Sequence, residues 1–260
     1  MSSLVQLAEN KILKDPKLEI FSLVYKEKKV WVKKARGTGS HLFHKLAYLL
    51  TQNTIVIPVE NKSPQEAVKF ESTKLQRLSA LSIPVPKVLE TEETYFIIED
   101  CGPTIRYLLK NNLVSDPTKL FEKIISALAL MHNANEYHGA SQIKNITYKE
   151  DKIYFIDFEE SFNQEIDIDD LQFRDLFLFL FSLSRLNMEI DFESIILKYI
   201  ALTGNKDVIQ KFHTLISKVS FLIKLIENKM IWKYLDRDTK SVYLLLQKLK
   251  NISPNTGYTE

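Results

Sequence analysis

Residues able to do chemistry concentrate between positions 130 and 160, LMHNANEYHGASQIKNITYKEDKIYFIDFEE. A helical pattern delivers the chain to Tyr137-His138-Gly139, and an asparagine follows at 145. Two β-rich segments then flank a Lys-Glu-Asp turn, and the second ends in Asp157-Phe158-Glu159. Carboxylates and side-chain amides are hard oxygen donors, the class that Mg²⁺ and Ca²⁺ take. An Asp-Phe pair after a strand is ordinarily a turn. The joint spacing of His138, Gly139, Asn145 and Asp157 sets this one apart.

The surrounding elements must position these groups. Residues 18 to 34 alternate in apolar character on both sides of a KEKK turn and read as a β-hairpin, with Lys33 near the end of its second strand. Lys34 is its rival if the register slips by one. After Gly37 and Gly39 the pattern predicts a helix over 41–50 and a short strand over 54–59. Ser63, Pro64 and Glu66 form a capping box with a first-turn proline, starting a helix that carries Val68, Leu75, Leu78 and Leu81 towards the core. It stops before IPVPKV, where two prolines favour extended chain. A strand over Tyr95–Ile98 leads to a break at Gly102-Pro103. Helices are expected over 116–134, 170–186, 191–202, 206–229 and 237–250, with hairpin strands at 145–148 and 152–156. The run from Leu176 to Phe181 is apolar on all sides and reads as core.

The series from His138 to Glu159 resembles the catalytic segment of the protein-kinase-like superfamily. The likeness is to its bacterial lipopolysaccharide-core heptose/Kdo kinase and aminoglycoside-phosphotransferase branches, in which His-Gly-Asp is followed five residues later by Asn and a metal-binding Asp ends the next hairpin. The resemblance covers residues 18 to 186. It implies an α+β, two-lobed fold, with a small β-rich lobe over 1–99 and a larger helical lobe over 100–260. It implies ATP and Mg²⁺ as cofactors, Asn145 and Asp157 as metal ligands, and Lys33 as the phosphate-contacting lysine paired with Glu71. Backbone groups of Glu99 and Cys101 would bind adenine. His138 and Asp175 would brace the loop. His132 reads as a packed structural histidine.

Two departures stand against this likeness. Ala140 occupies the place of the catalytic aspartate, leaving Glu159 as a weak candidate base, with Glu160 beside it and Ser141, Gln142 and Lys144 as polar neighbours. The first hairpin has no Gly-rich loop, although Arg36-Gly37 after the lysine is similar to core-sugar kinases. Three functions compete: a phosphotransferase acting on a sugar or lipopolysaccharide-core hydroxyl, a nucleotide-binding pseudokinase scaffold, and a helical interaction protein with accidental spacing.

Bulk properties narrow the classes. The 260 residues are 45% hydrophobic and 26% charged with a formal charge of +2, an ordinary globular composition that points to no nucleic-acid partner. A single cysteine excludes an intramolecular disulfide and fits a reducing compartment. The first fifteen residues do not read as a secretory signal, and no apolar run approaches the roughly 20 residues of a membrane span. The expectation is a cytoplasmic protein. Residues 206–250 hold ten Lys or Arg against four Asp or Glu, a solvated face or a contact with an anionic membrane or phosphorylated glycolipid. The acidic segment from Asp157 to Asp175 reads mainly as solvated turns.

Overall fold

The computed structural model describes residues 2–37, 57, 59–162, 165–221, 224 and 232–252. Helix α1 (Ser3–Lys14), whose first turn is capped by the Ser2 hydroxyl accepting from Val5 N–H, precedes strands β1 (Ile20–Tyr25) and β2 (Lys28–Lys34). The strands are joined by Lys26-Glu27, both at positive φ (48° and 64°), the backbone of a two-residue turn that matches strand twist. Helix α2 (Pro64–Ala80) begins with the reciprocal Ser63/Glu66 capping box. Strands β3 (Val88–Thr91) and β4 (Tyr95–Glu99) complete an antiparallel sheet in the order β1-β2-β4-β3.

Alternation along the strands divides the sheet between two cores. Val30, Val32, Tyr95, Ile97 and Phe21 pack on Leu4 and Ala8 of α1. Phe96 joins Val68, Leu75 and Leu78 of α2 in the main core. Because side chains alternate strictly, Lys33 shares the face of Trp31 and turns away from α1. Lys34 goes the other way, and its Nζ donates to the Pro16 carbonyl at 2.6 Å.

The second lobe is helical: α3 (Ile105–Lys110), α4 (Pro117–Asn133), α5 (Ile168–Ser184), α6 (Phe192–Thr203), α7 (Asp207–Lys218) and α8 (Arg237–Leu249), with the hairpin of β5 (Ile146–Lys149) and β6 (Lys152–Phe155) inserted after α4. Leu176, Phe179, Leu180 and Leu183 of α5 are wholly buried, each worth roughly 1.5–3 kcal/mol of transfer free energy. The result is bilobed and protein-kinase-like, a small sheet lobe over a larger helical one.

The hairpin is fastened both to the segment joining the lobes and to the α2–β3 connection. Tyr148 N–H donates to the Pro103 carbonyl at 3.0 Å, Phe155 N–H to the Pro84 carbonyl at 2.9 Å, and Lys149 Nζ to the Asp100 carbonyl at 2.7 Å. Gly102, at φ 82°, lies so close that an added Cβ would sit 2.3 Å from the Tyr148 carbonyl oxygen. Any side chain there must displace backbone.

Several expectations change. Leu81 is the C-cap of α2 and lies exposed, because the helix ends on it and its side chain clears the buried face. Helices α1 and α3 were not expected. The acidic segment divides: Glu165, Asp167 and Asp169 are exposed, whereas Asp175 is fully buried, Glu160 pairs with Arg174 and Asp170 with Lys211. The helix expected over 41–50 lies outside the described residues, as does the strand over 54–59 except Ile57 and Val59. Of the helix over 206–229, α7 is described to Lys218. No helix among the described residues is long and apolar enough to cross a membrane.

Gly102→Ala is expected to destabilise the chain by more than the roughly 1 kcal/mol of removing the Ser63 cap with Ser63→Ala. Chemical denaturation of the two variants side by side checks the order.

Candidate active site

Lys33 is the centre of a buried ion cluster. Its Nζ lies 2.7 Å from Glu71 Oε2, 2.6 Å from Asp157 Oδ1 and 2.7 Å from Glu159 Oε1. Helix α2 brings Glu71 from its buried face, and the other two carboxylates come from the turn that leaves β6. Glu71 also accepts from Phe158 N–H at 3.2 Å, so it grips the lysine and the turn together. Arg36 pairs with the other Glu159 oxygen at 3.2 Å. Burial works against the Lys33 ammonium, but the carboxylates of Glu71, Asp157 and Glu159 outweigh it and raise its pKa. Burial pushes Glu71 up to about 6 against the pull of Lys33. For Asp157 burial also opposes ionisation, and Lys33 more than compensates, holding its carboxyl below the usual range. Asp157 sits at φ 71°, a left-handed conformation that costs a non-glycine residue on the order of 1 kcal/mol. That backbone turns its carboxylate towards Lys33.

The loop from His138 to Asn145 is held from below by Asp175 on α5. Its Oδ2 accepts from His138 N–H at 2.6 Å and its Oδ1 from Gly139 N–H at 2.8 Å. Burial raises the Asp175 pKa, yet the neighbouring His132 imidazole and the backbone N–H of His138 bring it below the ordinary value. His138 is fully buried, stacked on Phe158 with 4.3 Å between ring centroids, its Nε2 2.9 Å from the Ile156 carbonyl. Burial pushes its pKa down to about 4, so the ring is neutral at pH 7. His132 packs against Tyr199, 2.7 Å from its hydroxyl. Asn145 closes the loop by donating Nδ2 to the Ala140 carbonyl at 2.9 Å, which leaves its Oδ1 without a hydrogen-bond partner among the described residues.

Between the lobes lies a cleft of about 360 Å³. Lys33, Glu71, Glu99, Cys101, Asn145, Asp157 and Glu159 all line it, with Pro86, Ile98 and Ile156 as apolar walls. Among the expected residues, His138 and Asp175 stand behind the cleft, and Ala140 is buried in the loop beside it. Burial pushes the Cys101 thiol up to about 12, so it stays protonated at neutral pH.

Residues 24–177 match the RIO domain family. The chain belongs to that family. RIO-domain membership fits the bilobed architecture and spans both the sheet lobe and the loop from His138 to Glu159. An uncharacterized protein of Haemophilus influenzae is 32% identical over 124 residues, 47% of this chain and 51% of that protein, so the chain spans about half the length of that relative. Among solved structures this RIO-domain chain is similar to WaaP in complex with acyl carrier protein (TM-score 0.45, 11% identity, 83% of this chain and 85% of that one). It is also similar to a mitogen-activated kinase from Leishmania major (TM-score 0.43, 12% identity, 97% and 84%). A third is an ADP-bound aminoglycoside phosphotransferase (TM-score 0.33, 12% identity, 95% and 98%).

Sequence reasoning passed over Lys74. It lies one turn beyond Glu71 on the same buried face of α2, a placement that helical period discloses. Its Nζ sits 4.0 Å from the Tyr137 ring centroid, 5.3 Å from that of Phe158 and 3.5 Å from the His138 carbonyl. Burial pushes its pKa down to about 8, with Asp175 and Glu136 opposing. Below about pH 8 the folded chain carries this ammonium at a cost. Between 8 and the ordinary 10.5 the unfolded chain still holds a proton the folded one has released, so stability rises with pH. Lys74→Met is therefore expected to exceed the parent in stability at pH 7 by up to about 3 kcal/mol, the gap closing by pH 10.5. Urea denaturation at the two pH values reads it, and a pH-independent gap would refute the assignment.

Proposed function

We propose that the chain is an ATP-dependent phosphotransferase that binds Mg-ATP in the interlobe cleft and phosphorylates a hydroxyl of a sugar or lipopolysaccharide-core acceptor. The observation that supports it most is the convergence of Lys33, Glu71 and Asp157 in the cleft that Asn145 also lines. Lys33 neutralises phosphate charge, and Glu71 keeps its ammonium in place. Glu99 and Cys101, where the chain leaves β4, present backbone groups to adenine between the apolar walls. On this reading the lobes divide near residue 99.

Asn145 and Asp157 would hold Mg²⁺. Among the described residues no group of three or more His, Cys, Asp or Glu side chains is placed to hold a metal, and a phosphate-bound Mg²⁺ takes one or two carboxylates together with phosphate oxygens and water. The free Oδ1 of Asn145 and the second carboxylate oxygen of Asp157 fit that need. Lys33 and Arg36 together also leave the three carboxylates with surplus negative charge. The ion would supply charge neutralisation on the phosphates. His138 and Asp175 hold the loop rigid. Glu159, tied to Lys33 and Arg36, serves as counter-charge. The work is done in the cytoplasm, at the inner face of the membrane where the acceptor is lipid-linked.

Ala140 favours a second reading. A methyl group accepts no proton, so the same site would serve a nucleotide-binding scaffold that transfers nothing. General-base contributions are about 10²–10⁴-fold, so their loss slows transfer without forbidding it.

Mg-ATP is expected to raise the melting temperature of the parent and to leave Lys33→Met and Asp157→Asn unchanged; no shift in the parent would defeat both readings. With binding in hand, labelled-phosphate transfer into a cell-envelope fraction distinguishes them. Ala140→Asp is expected to increase that transfer about 10²-fold or more. Absence of transfer by parent and Ala140→Asp alike, across a broad acceptor panel, decides for the scaffold.

A further inference from the structure

A second cavity, of about 680 Å³, opens on the far side of the loop that carries Asn145. Helix α3 supplies Arg106 and Lys110, the loop supplies Lys144, and the ends of α5 and α8 supply Arg185 and Arg237. No aspartate or glutamate is among its described lining residues. Arg185 is fixed from behind by Asp238 at 2.9 Å, and Arg237 donates to the Arg185 carbonyl at 2.7 Å. Arg106, Lys110 and Lys144 have no hydrogen-bond or ion-pair partner among the described residues. Leu109, Val114, Ile143, Leu186 and Met188 give the same cavity an apolar side.

In a chain of formal charge only +2, five cationic side chains around one concavity, of which Arg185 is the one paired to a carboxylate among the described residues, give it a locally positive lining that favours an anion. The volume is that of a small-molecule site, and the apolar side suits the C–H face of a pyranose ring. Lys144 lines this cavity and the interlobe cleft alike, so a molecule held here reaches the loop flanked by Ala140 and Asn145.

We propose that this cavity is the acceptor subsite and that the acceptor is a sugar already bearing a phosphate, which Arg106, Lys110 and Arg237 bind while a free hydroxyl faces the cleft. The inference rests on the phosphotransferase reading and specifies its substrate class. In the step itself the hydroxyl oxygen forms a bond to the γ-phosphorus. The bond from that phosphorus to the β,γ-bridging oxygen breaks, ADP leaves with the electron pair, and the hydroxyl proton passes to water.

Calorimetry with glucose 6-phosphate and with glucose tests it, on the parent and on the double variant Arg106→Gln/Lys110→Gln, whose replaced side chains have no protein partner to lose. Glucose 6-phosphate is expected to bind and glucose not to, and the double variant is expected to weaken binding at least tenfold while Mg-ATP affinity and melting temperature stay unchanged. Co-sedimentation with phosphatidylcholine vesicles, with and without lipid A, tells a phosphorylated lipid headgroup from a soluble sugar phosphate, and selective capture by lipid A vesicles also supports the proposal. Equal binding of glucose and glucose 6-phosphate, an unaffected double variant, or failure of both phosphorylated probes while Mg-ATP binds would overturn it. Failure of Mg-ATP to bind would instead remove the phosphotransferase reading on which it rests.

Discussion

One ammonium among three carboxylates organises this chain. Lys33 joins the sheet, helix α2 and the turn after β6 at a single buried point. A buried charge of this kind is tolerable only when each partner is in place. Glu71 must face inward, so α2 has one allowed rotation; β2 must present its odd-numbered residues to the cleft, so Val30 and Val32 fall to α1. Asp157 must adopt a left-handed backbone to reach the lysine. Removing one member leaves the others uncompensated, which makes the cluster a condition of the interlobe geometry as well as a chemical feature.

Asp175 plays the corresponding part in the helical lobe. It stands on a mostly apolar buried helix and meets two consecutive backbone N–H groups, the kind of buried donor that is costly to leave unmade. The loop from His138 to Asn145 is thereby set against α5, with neutral His138 stacked on Phe158 and Lys74 over the rings beside it. The ionic centre in the sheet lobe and the carboxylate strut in the helical lobe meet across only a few residues, Ile156 to Phe158.

Much of this could be read from the chain because local signals agreed with the fold. The Ser63/Glu66 box, the two prolines of IPVPKV and the Asn145–Asp157 spacing each act through near neighbours. Other features depend on distant partners. Lys33 and Lys34 are distinguished only by which sheet face α1 covers, and α1 went unrecognised because its apolar residues do not mark one face: Leu4, Val5 and Ala8 are buried while Leu7 and Leu13 are exposed. Helix α3 has six residues, too few for a period to emerge. The cationic cavity draws on residues 106, 110, 144, 185 and 237, which no sequence window joins. Glu71 and Lys74 show the converse: charges on the buried face of a helix contradict simple amphipathic patterning, and such contradictions concentrate where structure serves something besides stability.

The closeness of Gly102 to Tyr148 has a mechanical side. With Pro103 and Asp100 hydrogen-bonded to the β5–β6 hairpin and Gly102 packed against it, the connecting segment from residue 100 is tied to that hairpin. A rotation of the sheet lobe over this hairpin would also have to carry or break the Phe155–Pro84 bond, so Pro84 and the end of β4 together confine its axis. A pivot placed there swings β2 and its lysine across the cleft while the hairpin floor stays still.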